Sequence, residues 1–288
     1  MTYQRRDLQI EFTLGEGDFD GQGGNVITLK NMKCELSIAA NGGVTGTTME
    51  LALYGLSLDY MARLTIKSRR WLTEKQNAVR VRANDDLVFS GSIVAARVDL
   101  NRMPDAPIEL TANAVSDIRR ERFEDTCLTG DLDVGEVAES IATRAGLRFI
   151  NRGVTARASS LHLPGNAVEQ LNKLARDYRF NMDMSLGLVV IYPGGQAVDD
   201  IVPRVSPAHG LKGYPVFTDN GITFRCVYSP LIRLGRKLVL ESDLPHASGE
   251  YQVLDGTTHY LSSYTEGGLW DTFVVAQPLN LADGGVKK

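Results

Sequence analysis

The sequence has 288 residues, 43% of them apolar and 23% charged, with a formal net charge of −4. A chain of this length buries roughly three quarters of the surface its unfolded form exposes, which excludes intrinsic disorder and a disulfide-stapled mini-domain and suggests about two domains. The mildly acidic balance lacks the basic footprint of a dedicated duplex nucleic-acid binder.

The N-terminus, Met1 to Arg6 followed by Asp7, has no apolar leader core. No run approaches about 18 consecutive apolar residues, so synthesis in the cytosol without membrane insertion is expected. Gly15-Glu16-Gly17 with Gly21, Gly23 and Gly24 has the look of a phosphate-cradling loop. A dinucleotide fingerprint places its third glycine three positions after the second and then opens a helix. Asp20 stands there instead and a strand follows, so a flexible, solvated acidic loop is expected. Asp18 and Asp20 do not extend into a calcium loop, because the later ligand positions and the closing Glu are missing.

From Val26 to Thr111 the pattern alternates with period two and is broken by turn residues. Strands are expected at Val26 to Lys30, Cys34 to Ile38 ending at Asn41-Gly42-Gly43, Met49 to Tyr54, Val79 to Ala83, Leu87 to Val94 and Ile108 to Ala112. Short strands separated by Gly, Asn and Pro indicate a sandwich or barrel.

The period then changes. Val134, Val137, Ala138 and Ile141 share one helical face, with Asp133 as N-cap, Glu136 three residues on and Gly146 as the stop. A second helix has Asn166 as cap, Glu169 at the third helical position and a buried stripe of Val168, Leu171, Leu174, Ala175 and Tyr178. Phe180 to Met184, the turn Ser185-Leu186-Gly187 and Leu188 to Tyr192 predict a hairpin. The last third returns to strands at Gly221 to Val227, Lys237 to Glu241, Gly249 to Leu254, His259 to Tyr264 and Trp270 to Ala276, the third and fourth separated by Gly256. Trp270 is expected in the core of the last β region. The tail from Ala282 to Lys288 has almost no apolar content and is expected to fray.

Cys34, Cys127 and Cys226 lie roughly a hundred residues apart in apolar or strand-like surroundings, neither a disulfide framework nor a metal spacing. Three buried free thiols in a reducing compartment are expected. Of the histidines, His162, His209 and His246 fall in expected loops and His259 in a strand, none at metal-binding spacing. Nucleophile-elbow, phosphate-loop and two-histidine protease motifs are missing. Glu121, Glu124 and Asp125, interleaved with Arg119, Arg120 and Arg122, read as a solvated ion-pair surface. Lys67, Arg69 and Arg70 read the same way, with an intersubunit or lumenal contact as the alternative. No residue is singled out as catalytic, cofactor-binding or metal-binding.

Several stretches, in order, resemble the hub proteins of contractile phage tail baseplates, the family that includes the hub of T-even phages and the tail protein of Mu-like phages. They are Thr48 to Ser57, Leu87-Val88-Phe89-Ser90-Gly91-Ser92-Ile93 with Pro107 to Ala112, Asn166 to Tyr178 with Leu188 to Tyr192, and Asn220 to Thr223 leading through Ser229 to Gly235, Gly249 to Val253 and Leu269 to Thr272. Together they cover most of the chain from about residue 25 to 278. The chain is shorter than the larger family members, so their accessory domains are expected to be missing.

The resemblance implies a mainly β fold with a small α+β insert. A first tube-like β-barrel domain would span residues 1–115, the insert with its two helices and hairpin 116–195, and a second tube-like β-barrel domain 196–288. It implies a non-enzymatic structural hub without cofactors, forming a homotrimer with pseudo-sixfold symmetry that joins the sixfold tail tube to the threefold central spike. Its partners would be the tube or tube-initiator protein, the spike, the baseplate wedge proteins and the tape measure protein. DNA would pass through the lumen without specific binding, in a virion tail baseplate assembled in the host cytoplasm. Two other readings stay open: a tail-associated cell-wall hydrolase, and a peptidoglycan-binding module built on the α+β unit, whose paired helices resemble the LysM fold.

Overall fold

The computed structural model describes residues 6–43, 45–65, 75–219 and 221–279. Lys67, Arg69, Arg70, Trp71, Asn220 and the tail from Ala282 lie outside them. The chain divides into two compact units. One is Met1–Ala39, Thr47–Asp117 and His259–Trp270; the other is Ala40–Gly46, Ile118–Thr258 and Asp271–Lys288.

The first unit is an antiparallel sheet whose strands bury alternate side chains. β1 (Leu8–Thr13), β2 (Val26–Lys30), β3 (Cys34–Ala40), β4 (Thr47–Leu53), β5 (Ala78–Ala83), β6 (Asp86–Val98) and β7 (Ile108–Asn113) line up in the order β2-β1-β5-β6-β7-β4-β3. Leu8, Ile10 and Phe12 of β1 and Met49, Leu51 and Leu53 of β4 point inward at 4% exposure or less. This is the period-two pattern of a sheet with one face packed on a core. β1 precedes the first strand expected from sequence, although Leu8, Ile10 and Phe12 alternate as cleanly as any later run. β6 runs past the expected Val94 to Val98 because a bulge between Ile93 and Ala95 shifts its register against β7 and lets pairing resume. A short helix, α1 (Leu58–Leu64), begins where Ser57 accepts the Tyr60 N–H.

The N-terminal acidic loop is more ordered than the sequence suggests. Asp18 accepts the backbone N–H groups of Gly21 and Gly23, and Asp20 those of Gln22 and Gly24. Bonds from Gln22 and Gly24 hold the Asp20 carboxyl below its ordinary pKa. The two carboxylates thus serve as internal acceptors that tie the turn together.

α2 (Ser116–Arg120) leads into the second unit. β8 (Thr126–Asp133) pairs with β10 (Arg157–Leu163) as a two-stranded sheet, and a three-stranded sheet runs β11 (Phe180–Ser185), β12 (Leu188–Pro193), β9 (Arg148–Asn151). α3 (Val134–Arg144) and α4 (Ala167–Asp177) begin at the expected caps. Asp133 accepts from Gly135 N and Glu136 N, and Asn166 and Glu169 form a reciprocal capping box. The hairpin turn also falls as expected, with Leu186 at φ 52° and Gly187 at φ 73°. Ala175 and Tyr178, expected in the buried stripe of α4, are only partly buried, whereas Gln170 is fully buried. Gln170 is held there by a hydrogen bond accepted from Thr126 Oγ1 at 2.7 Å and two donated to the carbonyls of Glu124 and Gly165, each 2.9 Å. Gln170→Ala strands these partners, so a loss of about 2 kcal/mol is expected in denaturant unfolding.

The later strands are β13 (Arg204–Val205), β14 (Leu211–Thr218), β15 (Gly221–Val227), β16 (Lys237–Leu240), β17 (Gly249–Ser263) and β18 (Trp270–Pro278), all in this unit except His259–Ser263 of β17 and Trp270 of β18, which belong to the first. Here β14, β15, β18 and the first part of β17 are neighbours in that order, with β16 on β17 and β13 on β16. Ile222, Phe224, Leu238, Val253 and Val274 belong to one buried core. The two strands expected on either side of Gly256 are one continuous strand. Gly256 sits within it at φ 143°, a conformation open to glycine, and so bends the strand without ending it.

Asp183 on β11 gives a pH signature. Burial raises its pKa above the ordinary 3.8, opposed by the Ser185 hydrogen bond and by Arg233. The folded chain therefore holds this proton more tightly than the unfolded one, and its contribution to stability falls as pH rises upward from 3.8 through the folded-state value. Asp183→Asn is expected to be more stable than wild type near neutral pH, with the difference shrinking toward about pH 4 in unfolding titrations.

Candidate interface: an open sheet edge in each unit

A strand with a neighbour on one side only presents a row of unpaired backbone N–H and C=O groups. Among the described residues, β2 in the first unit pairs only with β1, and β14 in the second pairs only with β15. β2 buries neither face well: Val26, Thr28 and Lys30 are exposed and Ile27 and Leu29 half-buried. β14 carries Tyr214, Val216 and Phe217 at 70%, 61% and 52% exposure, an unusual apolar load for an edge that meets only water. Gly213 at φ 69° and a register shift between Lys212 and Val216 give this edge a bulge.

The β14 edge is braced from behind. Asp271 on β18 is completely buried and takes both Lys212 of β14 and Arg225 of β15; Arg225 Nε donates to Oδ2 at 2.7 Å. One carboxylate thus ties three adjacent strands together. In the first unit, a 520 Å³ cleft on the open face of β3, β4 and β7 is lined by Glu35, Glu50, Glu109 and Glu266, with Arg97 and Tyr260 beside them. This face is predominantly anionic.

Neither edge was visible as a site in the sequence. Residues 211–218, with Gly213 and Pro215 interrupting the run, were not among the expected strands. Pro is nevertheless admitted on edge strands, where an N–H donor is dispensable, and the run Tyr214, Val216, Phe217 was the available signal. Other expectations about individual residues change as well. Cys34 and Cys226 are buried, but Cys127 is exposed, because among the described residues β8 pairs only with β10 and most of its residues face solvent. His162 lies in β10 rather than a loop. His209 closes a 3-10 turn with Nδ1 2.7 Å from Ser206 Oγ, His246 is an exposed turn residue at φ 65°, and His259 is buried in β17. Among the described residues no group of three His, Cys, Asp or Glu is placed to hold a metal ion. In the charged run, Asp125 accepts the Gly165 N–H and Arg144 lies over the Phe123 ring at 4.6 Å. Trp270, the first residue of β18, is buried at 3% exposure, as expected, and is grouped with the first unit.

Comparison with solved structures gives the class. The 43 kDa tail protein of prophage MuSo2 from Shewanella oneidensis matches with a TM-score of 0.66 at 8% identity, over 96% of this chain and 98% of that one. The tail protein from Neisseria meningitidis MC58 matches with 0.66 at 8% identity over 94% and 96%. The Escherichia coli c3393 protein, a type VI secretion component described as similar to the T4 tail proteins gp27 and gp5, matches with 0.59 at 10% identity over 86% and 74%. No curated protein sequence matches the chain. The fold is therefore that of phage tail hub proteins, mainly β with a minority of helix. The family model described as baseplate hub gp41 matches residues 63–263, and the chain belongs to that family. It is a baseplate hub protein of a phage-like contractile tail.

Proposed function

We propose that the protein is a non-enzymatic symmetry adaptor: three copies close into a ring whose six β modules match the sixfold tail tube on one side and the threefold spike on the other. In this reading residues 1–115 and 196–288 supply tube-like barrels, and 116–195 is a docking insert. The observation that carries it is an open, exposed edge at each end of the long strand path, β2 in the first unit and β14 in the second. Different edges on the same chain suit a head-to-tail contact, β14 of one copy beside β2 of the next. Such a heterologous contact covers both of these edges once the ring closes. Tyr214, Val216 and Phe217 supply apolar area for a contact of the obligate kind, on the order of 2,000 Å².

The partners are the tube or tube-initiator protein, the central spike, the wedge proteins and the tape measure protein, within a virion baseplate assembled in the host cytoplasm. The match to a chain of the Francisella PdpA–VgrG complex, with a TM-score of 0.56 over 96% of this chain and 58% of that one, supports a spike-contacting role. DNA passes through the ring without specific binding. The Glu35, Glu50, Glu109 and Glu266 face is the kind of wall to which phosphate does not adhere. Val216→Lys tests the edge. The variant is expected to keep the folded monomer and lose the trimer in light scattering, because a lysine on an edge strand opposes pairing. A trimer as stable as wild type rules out the β14 edge as the contact.

A further inference from the structure

Cys127 on β8 and His162 on β10 are direct partners across the two-stranded sheet, both exposed, with Sγ 3.1 Å from Nδ1. The pair is held in place from beneath. Thr126 precedes Cys127, is buried, accepts a hydrogen bond from Arg144 Nη2 of α3 at 2.7 Å and donates to Gln170 of α4. Leu161 and Leu163, on either side of His162, are buried at 7% and 1%, which turns the imidazole toward solvent. Nucleophile and base within hydrogen-bond reach, on strands fixed by their neighbours, is the arrangement that activates a thiol.

The other two thiols lack it: burial pushes both Cys34 and Cys226 up to about 12 and keeps them protonated. Charged groups near the pair have partners of their own. Arg144 is on Thr126, Asp125 accepts Gly165 N–H, Glu169 caps α4, and Asp131 pairs with Arg157 farther along the sheet.

We propose that Cys127, with His162 as its base, is an exchange-competent thiol that takes small-molecule disulfides, giving the hub a redox-sensitive modification site on the β8–β10 sheet. In the step, the Cys127 thiol proton passes to His162 Nδ1 and the sulfur attacks one sulfur of the disulfide. The old S–S bond breaks and a mixed disulfide forms. The second half leaves as a thiolate, which recovers a proton through the imidazole and solvent. One disulfide is consumed and one formed, so no further oxidant is needed.

The test is reaction of the full-length protein with 5,5′-dithiobis(2-nitrobenzoate), followed by release of the coloured thiolate and by peptide mass. Rapid, stoichiometric labelling at Cys127 is expected, with Cys34 and Cys226 labelled only after denaturation. His162→Gln is expected to slow the reaction about tenfold. A second comparison needs no variant: folded wild type should react faster than a peptide spanning residues 124–130. Equal rates in either comparison, or labelling of the two buried thiols as fast as Cys127, overturn the proposal.

Discussion

Phe12→Ala is expected to destabilise the first unit by about 4 kcal/mol, the cost of deleting a buried aromatic ring and leaving a cavity. Phe12 has 0% exposure on β1, opposite Ile27 of β2 and Val79 of β5, so its loss falls between two ladders at once. Denaturant unfolding should show a lowered midpoint with an unchanged slope. Val26→Ala, on β2 at 51% exposure, is the matched control, with a change within about 0.5 kcal/mol. Similar costs at the two positions would mean that β1 does not face a packed core.

Asp271→Ala should cost about 3 kcal/mol, the low end for breaking a buried ion pair. The low end applies because the stranded cations, Lys212 and Arg225, are each 44% exposed and recover part of their hydration. Lys212→Met alone should cost less, since Arg225 still neutralises the carboxylate. Replacing all three by apolar residues (Asp271→Leu, Lys212→Met, Arg225→Met) should recover most of the loss, because the expense lies in the two cations left without their carboxylate. Thermal melts of the single variants and the triple variant separate these outcomes. If Asp271→Ala melts with wild type, the carboxylate does not brace β14, β15 and β18.

What the sequence revealed follows the range of the interaction involved. α4 was legible because its capping box, Asn166 and Glu169, is local chemistry, and the β11–β12 hairpin because Leu186-Gly187 supplies the two positive φ values its turn needs. β8 and β10 were passed over because a two-stranded sheet exposes most of its residues and so lacks the alternation that marks half-buried strands. Gly256 was read as a break because whether a glycine ends or only bends a strand depends on neighbours distant in sequence. The open edges were invisible for a deeper reason: being unpaired is a property of strand order, which residues 26–30 and 211–218 do not encode locally. The Cys127–His162 pairing depends likewise on register across 35 positions of sequence separation.

The adaptor account is tested most directly by electron micrographs of the purified protein assembled with its spike partner, averaged along the tail axis. The account predicts a ring of three chains with six peripheral lobes around an open channel. Averages showing single chains on the spike, or a closed disc with no passage, contradict it.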